Sequence, residues 1–455
     1  MTLTRYREYK DSGVVGLGDV PRHWEIIRLG TISTALQTGP FGSQLHAEDY
    51  VEDQTPVVNP SQIQDGRLAP DWSCTVPLEI VERLKQHVLE SGDIVFGRRG
   101  EMGRCAMVSE KEAGWLCGTG SLNIRLGQRA SPEFVSIYLR TIYVRELLTI
   151  LSVGSTMDNL NASILSRVPV PIPPLPEQTA IATFLDGETG KIDALVAEQE
   201  KLIALLKEKR QAVISHAVTK GLDPAAAMKD SGIEWLGEVP AHWACTKIGH
   251  FIQVLSGFAF PSSGFSHDER DVKLLRGVNV GVNEIRWDDT VYWQRTDDDG
   301  LREFELSVGD IVLGMDRPWI SKGVRIARLS AQDMPCLLLQ RVALIRTTPH
   351  LTPDFAFSLL NSTAFVSFLE PDMTGVSVPH ISPGQISSFP VAIPSVDEQE
   401  AIVSFLLETT PKIDTLVAEA QRAIALLKER RTALISAAVT GKIDVRGLVD
   451  MQEAA

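Results

Sequence analysis

The stretch KIDALVAEQEKLIALLKEKRQAVISHAVT, Lys191 to Thr219, is written a second time as KIDTLVAEAQRAIALLKERRTALISAAVT, Lys412 to Thr440, with well over half of the positions identical. In the first copy Val196, Gln199, Ile203, Leu206, Arg210, Val213 and Ala217 follow alternating spacings of three and four, the pattern of a coiled-coil seam. Val417, Ala420, Ile424, Leu427, Arg431, Leu434 and Ala438 repeat that stripe in the second copy. Pro173, Pro174 and Pro176 precede the first segment, Pro394 precedes the second, and Gly221 and Gly441 follow them, the expected order of helix start and stop signals. Two matching stripes predict two long helices that pair antiparallel, with Val196, Ile203, Leu206, Val213, Val417, Ile424, Leu427 and Leu434 at the contact. The alternative is a pair of amphipathic helices, each lying on its own core.

Outward from these helices the repetition continues, unevenly. PIPPLPEQTAIATFL returns as AIPSVDEQEAIVSFL, with Gln178 matching Gln399 at an offset of 221. GDIVFG, Gly92 to Gly97, returns as GDIVLG, Gly309 to Gly314, at an offset of 217. DSGVVGLGDVPRHW, Asp11 to Trp24, returns as DSGIEWLGEVPAHW, Asp230 to Trp243, at 219. A period this long exceeds any solenoid unit and marks a duplicated two-part module, variable then constant, used twice. Two tandem enzyme domains would repeat their reactive residues, whereas these halves differ most where reactive loops would lie.

The variable regions, residues 1–172 and 228–392, read as short strands with turns, among them TPVVNPSQI, SLNIRL, KLLRGVNV and QRVALIRT. Helices are expected near Glu133 to Leu148 and Asp354 to Leu369. The constant regions are 173–222 and 393–445. The fold class is therefore α+β: two mixed α/β domains separated by two long repeated helices pairing as an antiparallel coiled coil, a pseudo-two-fold internal repeat. A helix from Lys191 to Thr219 spans about 40 Å. Half-sites one turn apart on B-DNA are separated by roughly 34 to 36 Å, so such a pair suits a ruler between two sites on a duplex.

After each GDIV strand comes a loop of local positive charge, GRRGEMGR and GMDRPWISKGVRIAR. Arg98, Arg99 and Arg104 in one half, and Arg317, Lys322 and Arg325 in the other, have the chemistry to meet phosphates or the guanine edge; solvated turns are the plainer reading of any one of them. Asn59 and Gln62 in VVNPSQIQDG, and Arg276 and Asn279 in LLRGVNVGVNEI, form a second equivalent pair of candidates. Amides suit the adenine edge and equally tie down turns.

Composition bounds the remaining possibilities. The chain has 455 residues and a net charge of −14, which argues against a non-specific nucleic-acid coat but not against a reader whose basic residues are local. Its five cysteines lie far apart with no C-x-x-C pair, so neither a zinc site nor a disulfide framework is expected. The N-terminal residues carry no signal-peptide pattern and no apolar run is long enough to cross a bilayer, which predicts a cytoplasmic protein with no membrane partner. No phosphate-binding loop, dinucleotide fingerprint or H-E-x-x-H appears, and nothing proposes a catalytic or metal site.

Taken together, the repeated G-(D/E)-V-P-x-H-W phrase, the PLPEQ and VDEQ segments and the K-I-D-x-L-V-A-E helices resemble the specificity subunits of type I restriction-modification systems, over nearly the whole chain. The resemblance implies that each variable region is a target-recognition domain reading one half of a bipartite double-stranded DNA sequence, with the paired helices setting the gap. It implies a non-catalytic subunit that binds no cofactor itself. Its partners would be two methyltransferase subunits and ATP-dependent restriction subunits, which carry S-adenosylmethionine, ATP and Mg. The rival reading is a coiled-coil scaffold with two protein-binding domains and no role on DNA.

Overall fold

The computed structural model describes residues 4–448 except 42–43, 101, 153–159, 234, 297, 321–322 and 374–378. It is a mixed α/β structure that divides into two compact units, one of residues 1–199 with 422–455 and one of residues 200–421.

In the first unit a four-stranded antiparallel sheet has the order Cys105–Met107, Ile94–Gly97, Ser121–Leu126, Ser33–Thr38. Beside it lies a three-stranded sheet, Leu116–Cys117 parallel to Thr55–Val58, which pairs antiparallel with Thr75–Val76. In the second unit the four-stranded order is Ile252–Ser256, Val342–Thr347, Ile311–Gly314, Ile326–Arg328. Its three-stranded sheet joins Tyr292–Trp293, Val272–Leu275 and Cys336–Leu338.

Each GDIV segment supplies the strand Ile94–Gly97 or Ile311–Gly314, buried on both faces, which is why it is continuously apolar rather than alternating. The aspartate before it has a separate job. Asp93, 1% exposed, accepts from Asn123 Nδ2 at 2.9 Å, from Arg125 Nε and Nη2 at 2.8 and 2.7 Å, and from the Glu90 N–H at 2.9 Å. Asp310 accepts from Arg346 Nε and Nη2 at 2.8 and 2.7 Å and from the Ser307 N–H at 2.8 Å. A carboxylate held at that depth requires such donors on every side.

The expected helices near 133–148 and 354–369 are each two: Pro132–Leu139 with Ile142–Ser152, and Pro353–Leu360 with Thr363–Leu369. Hydroxyls at the joints compete with the backbone ladder. Thr141 donates to the Tyr138 carbonyl at 2.8 Å, and Ser362 donates to the Leu359 carbonyl at 2.6 Å while capping Phe365.

Two long helices, Leu175–Lys220 and Val396–Val439, run through the constant regions. Pro176 falls in the first turn of the first helix, where its missing N–H costs nothing. Along the two stripes picked out by spacing, every residue is buried or half-buried, whereas Leu195, Leu202, Leu205, Leu416 and Leu426 are exposed. In the first unit Asp193 pairs with Arg431 at 2.8 Å and the core takes in Ile192, Val196, Leu427 and Leu434. In the second, Arg210 pairs with Asp414 at 2.8 Å while Ile214 joins Ile402 and Leu406.

The helices begin and end on the repeated tryptophan phrase. Glu177 Oε1 accepts from Trp24 Nε1 at 2.9 Å and its Oε2 meets His23 Nε2 at 2.8 Å; Glu398 receives Trp243 at 3.1 Å and His242 at 2.9 Å. The fully buried Gln178 accepts the Ser131 N–H at 2.7 Å and donates to the Arg129 and Pro173 carbonyls. Gln399 does the same with the Thr352 N–H and the His350 and Pro394 carbonyls. At the helix ends Lys220 Nζ donates to the Leu236 and Glu238 carbonyls, and Lys442 Nζ to those of Leu17 and Asp19. Lys442, just past the second helix, thus does for the first phrase what the end of the first helix does for the second.

Asp93→Ala leaves the Asn123 amide without its acceptor and the Arg125 guanidinium with only the exposed Glu90 carboxylate. We expect it to lower stability by about 2–4 kcal/mol. The denaturant midpoint reads this, and an unchanged midpoint would show that the buried pair contributes nothing.

Candidate nucleic-acid interface

In the first unit, register places the end of Ser33–Thr38, the end of Ile94–Gly97 and the start of Ser121–Leu126 at one edge of the sheet, with Leu122 opposite Thr38 and Ser121 opposite Gly97. The loops leaving these strands pack backbone to backbone. A Cβ on Gly39 would stand 1.9 Å from the Gly118 carbonyl oxygen, and in the second unit one on Gly257 would stand 2.2 Å from that of Leu339. Only glycine permits this approach, which accounts for the repeated glycine in TGPFGSQL and SGFAFPSSGF. Next to it each unit exposes an aromatic ring, Phe41 and Phe258.

Several of the cations picked from sequence are engaged inside these loops. Half-buried Arg98 donates through Nε to the Leu160 carbonyl at 3.0 Å and through Nη1 to that of Thr119 at 3.5 Å. Arg104 donates to the Pro60 carbonyl at 3.1 Å. Its counterpart Arg325 donates to the carbonyls of Val280 at 3.1 Å, Asp316 at 2.8 Å and Gly277. Burial lowers the pKa of both Arg98 and Arg325, with Arg99 adding to it in one case and Arg286 and Arg317 in the other; an arginine so shifted still carries its charge at neutral pH.

The amide candidates form matched turns. Gln62 Oε1 accepts the Asn59 N–H at 3.0 Å, and Asn279 Oδ1 accepts the Arg276 N–H at 3.0 Å. Asn279, 1% exposed, also donates to the Arg286 and Asp289 carbonyls. Arg276 donates to the Asp289 carbonyl at 2.6 Å and pairs with its carboxylate at 2.8 Å, while its Nε has no partner. Fixing the loop that carries a rim is thus the work these side chains visibly perform.

Arg99 and Arg317 stand differently, with exposed side chains. The two loops need a residue of positive φ at one matching position, and the first unit places Gly100 there at φ 82°. The second places Arg317 at φ 45°, its N–H donating to the Pro379 carbonyl at 2.7 Å. A left-handed conformation costs an ordinary residue about 1–2 kcal/mol. Lys322 lies outside the described residues.

Sequence reasoning missed three neighbours of Arg317: Asp316, His380 and Arg341. The Asp316 carboxylate meets His380 Nδ1 at 2.7 Å and Arg341 Nη1 at 3.7 Å. A weak signal was available, since Arg341 stands one residue before the strand that matches Ser121–Leu126, where the first half has Gly120.

Among the described residues no cluster of three or more His, Cys, Asp or Glu side chains is arranged to hold a metal ion. Burial pushes the thiols of Cys105, Cys117 and Cys336 up to about 12, away from nucleophilic use.

Comparison with known proteins finds relatives along nearly the whole chain. Residues 21–203 match the profile of the type I restriction modification DNA specificity domain. The chain is 25% identical over 449 residues to the type I restriction enzyme MjaVIII specificity subunit of Methanocaldococcus jannaschii, covering 97% of this chain and 98% of that one. It is 22% identical over 440 residues to the EcoKI specificity subunit of Escherichia coli K12, covering 94% and 90%. Its fold is similar to a chain of a type I R-M system solved for its complex assembly and conformational transition, with TM-score 0.70 and 17% identity over 92% of this chain and 98% of that one. The HsdS subunit from Thermoanaerobacter tengcongensis gives TM-score 0.54 and 20% identity over 93% and 98%. The matched profile is that of a DNA specificity domain. The relatives that span nearly the whole chain are specificity subunits of type I restriction enzymes.

Arg325→Ala removes the donors for three loop carbonyls and should lower stability by about 2–4 kcal/mol, whereas Arg99→Ala should stay within about 0.5 kcal/mol of the parent. Thermal unfolding of the two variants checks this. Equal melting temperatures would contradict the loop-fixing role assigned to Arg325.

Proposed function

We propose that this chain is the non-catalytic DNA sequence-specificity subunit of a type I restriction-modification complex, each half reading one part of a bipartite target. The observation that carries the reading is likeness to specificity subunits along nearly the full length, so that both halves and both helices are accounted for together. The recognition domains are residues 1–172 and 228–392, and the constant helical regions are 173–222 and 393–445. Base reading falls to the exposed rim cations Arg99 and Arg317, with Lys322 kept from the sequence pattern; Arg98, Arg104, Arg325, Asn59, Gln62, Arg276 and Asn279 shape the loops that present them.

The two long helices form an antiparallel coiled coil that sets the spacing between half-sites. In support, the ion pairs Asp193–Arg431 and Arg210–Asp414 join the same two positions of the repeat with the helices exchanged, as a two-fold arrangement demands. Their carboxylates are about half exposed. Such pairs add little stability and serve mainly to hold register. The constant regions dock two methyltransferase subunits, which carry S-adenosylmethionine, and restriction subunits that use ATP and Mg complete the assembly in the cytoplasm. Among the described residues, no helix is long and apolar enough to cross a membrane.

A genome-wide map of N6-methyladenine, made with and without this chain beside its methyltransferase partner, tests the reading. A split motif should appear only when the chain is present. Exchange of residues 40–165 for another variable region should then change one half of that motif and leave the other intact. Simultaneous change of both halves would contradict the modular assignment, and a stable complex that methylates no motif would favour the scaffold reading.

A further inference from the structure

Arg341 occupies the last position before the strand Val342–Thr347, in the left-handed region at φ 71°. Its counterpart in the first unit is Gly120, and the two share one backbone hydrogen bond, the Gly120 carbonyl accepting the Arg98 N–H and the Arg341 carbonyl the Met315 N–H, both at 2.9 Å, although Gly120 itself is not in the left-handed region. The fold therefore needs no side chain at this position, and glycine serves it elsewhere in the same molecule. An arginine has been placed there in a conformation that disfavours one.

The internal contacts of that side chain do not account for its presence. The Arg341 guanidinium is 56% exposed and stands 3.7 Å from Asp316 Oδ1, a loose ion pair of the sort that returns little stability. Its Nη1 lies 3.3 and 3.4 Å from the two ring nitrogens of His380, whose Nδ1 is itself 2.7 Å from Asp316. Backbone bridging between Asp316 and His380 fixes the two partners relative to each other. The exposed Arg317 follows Asp316 directly, so two arginines in left-handed conformations stand on one rim. In the first unit the corresponding positions hold Arg99 for Asp316, Gly100 for Arg317 and Gly120 for Arg341. The rim is where the two halves differ in charge placement, and at position 341 in backbone conformation as well.

We propose that Arg341 is a base-reading residue of the second recognition domain, its guanidinium directed by Asp316 and His380 toward a guanine edge in the major groove. The proposal rests on the reading of this chain as a DNA-specificity subunit. Guanine is the base whose O6 and N7 accept the paired donors of arginine. Asp316 holds one side of the guanidinium, which leaves its remaining donors directed to a ligand outside the protein, and strain in the backbone limits the directions in which the side chain leaves the loop.

The test uses the full chain in complex with its methyltransferase subunits, selecting bound duplexes from a random pool and titrating salt. Arg341→Gly should fold with a melting temperature no lower than the parent, since glycine fits the backbone there. The selected motif should relax at one position of one half, with discrimination at that position falling roughly 5- to 150-fold. Arg341→Lys, which keeps the charge but not the paired donors, should lose the same discrimination and retain the salt dependence of the parent. A motif unchanged in both variants overturns the assignment. So does a uniform loss of affinity on all sequences with a flatter salt dependence, which is the mark of a phosphate contact. If the parent complex itself selects no split motif, the specificity reading fails first and the assignment falls with it.

Discussion

Everything in each half hangs on a glutamate in the first turn of a long helix. Glu177 is 6% exposed and accepts three donors, the indole of Trp24, the phenol of Tyr6 at 2.6 Å and the ring of His23. Burial, with the Glu177 carboxylate beside it, raises the Tyr6 phenol far above its ordinary pKa and holds it as a donor. Glu398 is less deeply placed, with 29% of its side chain exposed, and receives two donors, from His242 and Trp243. The number of partners follows depth, as the cost of desolvating a carboxylate requires. The positive end of the helix dipole favours the charge at both sites.

That contact fixes where the helix begins relative to the tryptophan phrase, and the glutamine beside it fixes the α/β domain that precedes the helix. Gln178 and Gln399 have every polar atom engaged, each closing on the cap of the helix that starts at Pro132 or Pro353. A histidine-tryptophan pair and a glutamate-glutamine pair, more than 150 residues apart, are the two sides of one joint. Selection on the joint repeats both phrases while the loops between them are free to diverge.

How much of this could be read in the sequence depends on the range over which each interaction acts. The helices, their stripes and the GDIV strands were legible because periodicity and apolar runs are local. The role of the aspartate before GDIV was not, because its arginine lies 32 or 36 residues further on and nothing in a strand pattern announces a cross-strand ion pair. The breaks at Thr141 and Ser362 were hidden by an uninterrupted apolar period. Arg98, Arg104 and Arg325 looked like free cations because their acceptors are carbonyls of loops 9 to 62 residues away, and a carbonyl has no signature in sequence. Equally invisible was the hold of Lys442 on the first phrase, because the repeat sets Gly441, and not Lys442, against Lys220.

The rim obeys a different rule from the frame. Frame residues satisfy each other, so a change in one leaves a buried partner stranded, and the tryptophan, glutamate, glutamine and aspartate of the frame are the same in both halves while Tyr6 and Asn123 serve the first alone. Rim residues satisfy little inside the molecule, and a change in one costs the fold almost nothing. On the proposed function, this separation lets recognition vary without loss of stability. Where the backbone has a position that suits glycine and the second half holds arginine, at 317 and again at 341, stability has been given up for a charge on the surface. These are the positions at which the fold's interest and the ligand's diverge, and they are where the chemistry of reading is to be sought.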